Sequence, residues 1–224
     1  RKCLSLLIVL ALSLPSISCA AAEPTDELKQ HWAAETMRAW IDRGWIDGGT
    51  LRPDDDVTRG EFASFANAAF QLDDAAASLP FVDLPKDHPY YHDLSIAYKA
   101  GYMTGLGNNR MHPDGTTTRQ EVAVMLALLL QLEPSTQPNV SAYSDANSIA
   151  EWAKPYVSAL TAFQILKGDT SGTFRPRAPM SRAEAIVALE AASSQTAMTP
   201  LTPTNSEALP RLQVSENRRF LVTE

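Results

Sequence analysis

The sequence predicts a mainly α protein built from three helix–turn–helix units around a shared core. One observation is a tetrapeptide that returns: Thr58-Arg59-Gly60-Glu61, Thr118-Arg119-Gln120-Glu121 and Ser181-Arg182-Ala183-Glu184. Each is a Ser/Thr-x-x-Glu capping box, in which the hydroxyl accepts the N3 amide and the glutamate reaches back to the N-cap amide. A second is that each box opens a run with apolar residues at helical spacing. These are Phe62, Phe65, Ala66, Ala69 and Phe70, then Val122, Val124, Met125, Leu128 and Leu129, then Ala185, Ile186 and Leu189. The third is period: the box arginines stand 60 and 63 residues apart, and Trp32 to Gly48 and Trp152 to Gly168 each span 16 positions. Helix pairs this short cannot bury an apolar face alone, so the units must pack on one another.

The 224 residues carry a formal net charge of −7 with no offsetting basic stripe, which argues against a nucleic-acid partner and leaves room for a local basic site that takes a small anion. Arg1-Lys2 followed by the apolar run of residues 4–14 reads as a secretory signal, assigned to residues 1–20 with cleavage after Ala20 or Ala22. Lipid attachment at Cys19 is the alternative, although Ser16-Ile17-Ser18 matches a lipobox poorly. The apolar run is too short to span a bilayer in a mature chain. Cys3 and Cys19 both fall in this segment, so the exported part is stabilised by its core and not by disulfides.

Taken in order, the first unit (28–72) opens with His31-Trp32-Ala33, runs through Met37, Trp40 and Ile41, and turns at Gly44 and Gly48. Leu51-Arg52-Pro53 and the acidic turn Asp54-Asp55-Asp56 then lead into the first box. The second unit (80–132) begins at Phe81-Val82-Asp83 and His88-Pro89-Tyr90-Tyr91, with Tyr90-Tyr91 standing in place of the tryptophan. It turns at Gly101 and Gly105 and passes Met111-His112-Pro113. The third (142–193) begins at Tyr143-Ser144-Asp145 and Glu151-Trp152-Ala153, turns at Gly168 and passes Phe174-Arg175-Pro176. Residues 194–211, rich in Thr and Pro, read as an extended linker, and 212–224 as the opening strands of a further domain.

The box arginine is the unexpected residue. A cation at the first helical position opposes the helix dipole by a few tenths of a kcal/mol to about 1 kcal/mol. Its threefold recurrence suggests an anion nearby. The bland alternative is an ion pair, Arg59 with Asp54, Asp55 or Asp56 and Arg119 with Asp114; Arg182 has no such neighbour in sequence. Trp32, Trp40, Trp45 and Trp152 suit sugar stacking, but their helical spacing favours the core. The four histidines lack metal-ligand spacing, the aspartate triplet lacks calcium-loop spacing, and no cofactor is expected. Glu61, Glu121 and Glu184 are explained as caps, and no serine sits in a nucleophile elbow, so no catalytic constellation appears.

The His-Trp-Ala opening, the Gly44-x-Ile46-x-Gly48 turn, the Leu51-Arg52-Pro53 piece and the Thr-Arg-x-Glu box together resemble the S-layer homology domain over residues 28–193. The resemblance implies a pseudo-threefold spindle around a central three-helix bundle. It also implies a secreted, wall-associated bacterial anchor whose inter-repeat grooves bind secondary cell-wall polysaccharide through a pyruvate ketal. Carried over by position, its ligand-binding residues are Arg59, Arg119 and Arg182 with Gly48, Gly105 and Gly168. Physically, a guanidinium can grip the ketal carboxylate, orphan amides at the helix start would favour the same anion, and glycine would let backbone approach the sugar. The first unit departs in having a shorter Gly48-to-Arg59 loop and Gly60 at the second helical position, which weakens a helix start by roughly 0.5–1 kcal/mol. Residues 212–224 weakly resemble the start of secreted apiosidase-like glycoside hydrolases. The alternatives to a free-standing anchor are therefore the front of a wall-bound glycosidase or a structural S-layer subunit.

Overall fold

The computed structural model describes residues 28–49 and 51–198, with side chains described as far as residue 195. The signal segment, Thr50, most of the linker and residues 212–224 lie outside the described residues. Among the described residues six α-helices alternate in role: α1 (Ala34–Asp42), α3 (Tyr91–Ala100) and α5 (Lys154–Ala162) open the repeats. The capped helices α2 (Arg59–Phe70), α4 (Arg119–Leu129) and α6 (Arg182–Met198) close them. Among the described residues there is no strand, only three isolated bridges between repeats. The fold is mainly α, as the repeat predicts.

The capped helices start where the boxes place them. The Glu61, Glu121 and Glu184 carboxylates accept the Thr58, Thr118 and Ser181 amides at 3.0, 2.8 and 3.0 Å. Thr58 and Ser181 hydroxyls accept the Glu61 and Glu184 amides in return, both at 3.2 Å. The opening helices lack side-chain caps. Instead, the His31 and His88 Nδ1 atoms accept the Ala33 and Tyr90 amides at 3.2 Å, just ahead of α1 and α3.

Packing is cyclic. Each capped helix lies on the opening helix of the next repeat: α2 on α3, α4 on α5, and α6 back on α1. α6 also touches α2 and α4. Phe62, Ala63, Ala66, Val122, Ala123, Leu126, Ala185, Ile186 and Leu189 are fully or almost fully buried between them. On two of the three capped helices one equivalent position latches the pair. Asn67 donates to the Asp93 carbonyl at 3.0 Å and accepts the Tyr102 hydroxyl at 2.8 Å. Its equivalent Glu190 accepts Trp40 Nε1 at 2.7 Å and Arg43 at 2.8 Å, whereas Ala127 on α4 packs as part of the core.

The helix starts interlock around the same three repeats. The residues just before the caps close a ring: Val57 N–H donates to Met180 O (2.9 Å), Met180 N–H to Thr117 O (3.0 Å), and Thr117 N–H to Val57 O (3.1 Å). The first two helical amides then reach carbonyls of another repeat: Arg59 to Gly115 and Gly60 to Pro113, Arg119 to Ala178 and Gln120 to Pro176, Arg182 to Asp55 and Ala183 to Pro53. The amides expected to be open to an anion are therefore occupied by the protein itself. An α-helix leaves its leading N–H groups without intrahelical partners, and here the neighbour supplies them.

The bonding register corrects one alignment. His31 and His88 make the same contacts, so Pro89 stands where Trp32 does and Tyr90 where Ala33 does. Tyr90 thereby leans over Gly60, and a Cβ on Gly60 would land within the Tyr90 ring and against its Cβ at 2.9 Å. Gly60 is thus the space that Tyr90 needs. Among the tryptophans, Trp40 is fully buried, Trp45 and Trp152 are partly buried against the core, and Trp32 is 63% exposed. Core placement fits Trp40 and fails for Trp32.

Gly60→Ala should destabilise the chain by about 1–3 kcal/mol through overpacking, despite alanine's better helix propensity. Adding Tyr90→Ala should recover much of that loss. Urea unfolding of the two single variants and the double variant measures the coupling.

Candidate functional site

Each junction between repeats is built from four backbone-positioned pieces: a box arginine, the next repeat's glycine turn, that repeat's box glutamate, and the residue before its proline. Arg52, His112 and Arg175, which precede Pro53, Pro113 and Pro176, all have positive φ (42°, 52° and 58°). A left-handed backbone costs a non-glycine residue roughly 1–2 kcal/mol. In two repeats an aspartate holds it in place. Asp83 accepts the Met111 and His112 amides at 2.8 and 3.0 Å, and Asp145 accepts those of Phe174 and Arg175, both at 2.8 Å. Burial acts to raise the Asp83 carboxyl, but these amide donors outweigh it and hold the group below its ordinary value.

The glycine turns sit under aromatic rings. A Cβ on Gly105 would meet Phe81 at 2.5 Å and the Arg110 carbonyl at 2.7 Å; on Gly168 it would meet Tyr143 and the Thr173 carbonyl, both at 2.8 Å. In these two repeats the turn continues into a short hairpin, closed by Leu106 N–H to Arg110 O and by Asp169 N–H to Thr173 O, both 2.8 Å. The first repeat lacks the three residues of that hairpin. Gly48 is partly buried there, and the Asp47 carboxylate takes the Gly49 amide at 2.9 Å.

The box arginines point into these junctions and are buried, at 4%, 9% and 7% exposure for Arg59, Arg119 and Arg182. Each reaches the next repeat in the cycle. Arg59 donates to Met111 O at 2.8 Å and Thr104 O at 2.6 Å, beside Gly105. Arg119 donates to Lys167 O at 2.6 Å, beside Gly168, and lies over the Phe174 ring. Arg182 donates to Leu51 O at 2.8 Å and to the Glu61 carboxylate, and lies over Phe65. The arginine and glycine of one site thus come from different repeats, except that no contact from Arg182 to Gly48 brings the third pair together.

The simple ion pairs weighed from sequence do not form. Asp54 and Asp114 face His31 and His88, at 3.2 and 3.4 Å, and Asp55 faces Arg52 at 3.3 Å. The arginines look instead to the box glutamates: Arg182 to Glu61, Arg119 to Glu184 at 3.6 Å, and Arg59 to Glu121 through space. Burial lowers all three guanidinium pKa values, that of Arg59 to about 10, while the facing glutamates oppose the shift. All three remain cations at neutral pH. Arg52 and Arg175 join the same glutamates, Glu61 at 2.7 Å and Glu184. Their part was missed in sequence, although their shared place before proline was visible.

Among the described residues no group of three or more His, Cys, Asp or Glu side chains could hold a metal ion, and no helix is long and apolar enough to cross a membrane. What the junctions offer chemically is fixed positive charge beside a turn.

A profile of the S-layer homology domain matches residues 28–63, 80–123 and 142–186. An amylopullulanase of Thermoanaerobacterium thermosulfurigenes is 28% identical over 71% of this chain and 9% of its own length. A surface-layer 125 kDa protein of Lysinibacillus sphaericus is 26% identical over 78% of this chain and 15% of its own. A cellulosome-anchoring protein of Acetivibrio thermocellus is 26% identical over 62% of this chain and 32% of its own. The chain therefore spans a minor part of the relatives it matches.

Two measurements probe this arrangement. Arg59→Ala strands the buried Met111 and half-buried Thr104 carbonyls and should cost about 2–4 kcal/mol in urea unfolding, more than Arg175→Ala at the surface. Because the Asp83 pKa is lowered by folding, its contribution is present above the unfolded-state value near about 4 and fades as pH falls through the lower folded value. The stability gap between the unaltered chain and Asp83→Asn should narrow in that acid window and stay constant from pH 6 to 8.

Proposed function

The chain belongs to the S-layer homology domain family, and we propose that it is a non-catalytic module anchoring its polypeptide to a bacterial cell surface. The proposed ligand is a secondary cell-wall polysaccharide carrying an anionic ketal, held in the junctions between repeats. The observation that supports this is the recurrence of one device: Arg59, Arg119 and Arg182, each buried and cationic, each drawn to the next repeat in the cycle. A guanidinium presents a planar set of donors suited to a carboxylate. Gly105 and Gly168 leave room for the Phe81 and Tyr143 rings packed on them, so in this reading a sugar meets these turns through their backbone on the side away from those rings, with Gly48 as the corresponding residue of the first repeat. The helix dipole contributes little direct bonding here, since the leading amides are already paired.

A second reading places the chain at the front of a wall-bound glycoside hydrolase. It is favoured by the amylopullulanase, an exoglucanase and an endoglucanase among the relatives, all much longer than the matched part. The apiosidase-like run of residues 212–224 belongs to this reading, as does a barrel with paired carboxylates beyond it. A structural S-layer subunit is the corresponding reading of the surface-layer relative.

Sedimentation of the chain with purified cell-wall sacculi, before and after mild-acid removal of ketals, tests the proposal. Binding that is lost with the ketal is the expected result. Binding that survives ketal removal would move the ligand contact off the arginines, and absence of binding would contradict the anchor.

A further inference from the structure

We propose that the three junctions are not equal, and that the one between the second and third repeats is where this chain holds a carboxylate-bearing sugar. Arg119 and Arg175 are its cations, and it is left uncovered by the small Ala33, with the exposed Trp32 next to it in sequence. This rests on the wall-glycan reading above and separates positions that repeat symmetry makes alike.

The first argument is which guanidinium has bonding left to offer. Arg59 spends Nε on Met111 O and an Nη on Thr104 O, so turning it to a ligand would strand two carbonyls. Arg182 spends Nε on Leu51 O and Nη1 on the Glu61 carboxylate. Arg119 bonds only Lys167 O; its Nε is buried with no partner, and Glu184 lies at 3.6 Å, outside hydrogen-bond reach. A buried donor without an acceptor is costly and uncommon, so an incoming carboxylate gains most and displaces least at Arg119.

The second argument is cover. At the third-to-first junction the Tyr90 ring sits over Gly60 and within the field of Glu61, Arg182 and Arg52. The Glu61 side chain beneath it is only 7% exposed. The residue equivalent to Tyr90 at the second-to-third junction is Ala33, and there the Glu184 side chain is 21% exposed. Next to Ala33 stands Trp32, an exposed indole that suits stacking on a sugar face.

The third argument is charge. The first-to-second junction has His112 at the position where the others have Arg52 and Arg175, and so one fixed cation fewer. Only the second-to-third junction combines two arginines, an unspent donor and a small residue at its rim.

The experiment follows arginine Nε–H resonances by nitrogen-15 NMR while the chain is titrated with wall-glycan fragments, ketal-intact or ketal-free. With ketal-intact fragments the Arg119 resonance should shift while those of Arg59 and Arg182 stay fixed. Arg119→Gln should weaken binding at least tenfold, and by clearly more than Arg59→Gln or Arg182→Gln does. Should Arg119→Gln fail to fold, Ala33→Tyr combined with Ala183→Gly transplants the Tyr90–Gly60 cover and should also weaken binding at least tenfold. Normal binding by both of these variants, or an equal response of all three arginines, would overturn the inequality while leaving the glycan reading intact. If ketal-intact fragments do not bind the unaltered chain, the glycan reading falls and this inference with it.

Discussion

Everything in this molecule hangs on how the leading amides of the capped helices are satisfied. An isolated repeat would present these donors to water or leave them buried and unpaired, at a cost of about 1–3 kcal/mol each. Here the Val57–Met180–Thr117 ring and the six helical amides behind it find their acceptors in other repeats. The packing follows the same cycle, α2 on α3, α4 on α5, α6 on α1. Hydrogen bonding and apolar burial therefore demand the same closure, and no single repeat can meet either demand alone.

That closure also explains the arginine at the first helical position. Beside a free helix terminus the cation would be repelled. With the amides paired, it meets carbonyls of the next repeat and faces that repeat's box glutamate, in direct contact for Arg182, at 3.6 Å for Arg119 and through space for Arg59. The glutamate thus has two tasks, capping its own helix and neutralising a neighbour's guanidinium. Positive charge is thereby held buried at each junction without a dedicated counter-ion from outside.

Much of this was legible in the residues and some was not. Helix starts were readable because a capping box is a local device whose partners lie three residues apart. The repeat was readable from its period. The partners of the arginines were not, because Arg182 and Glu61 are 121 residues apart and sequence proximity suggested Asp54 or Asp114 instead. Tyr90 was misaligned by one residue because aromatic character was matched to Trp32, when the histidine before it sets the register. Gly60 looked like a weakness in the first box, since its reason, the Tyr90 ring, lies in another repeat. Trp32 shared the spacing of core residues, yet it precedes α1 and faces solvent.

Native-state hydrogen exchange at the amides of Val57, Thr117 and Met180 tests the closed cycle most directly. If closure is what stabilises the repeats, all three should exchange only through global unfolding, with one common free energy that matches urea denaturation. An amide in the ring that exchanges through a markedly smaller local opening, while the other two remain protected, would contradict the account.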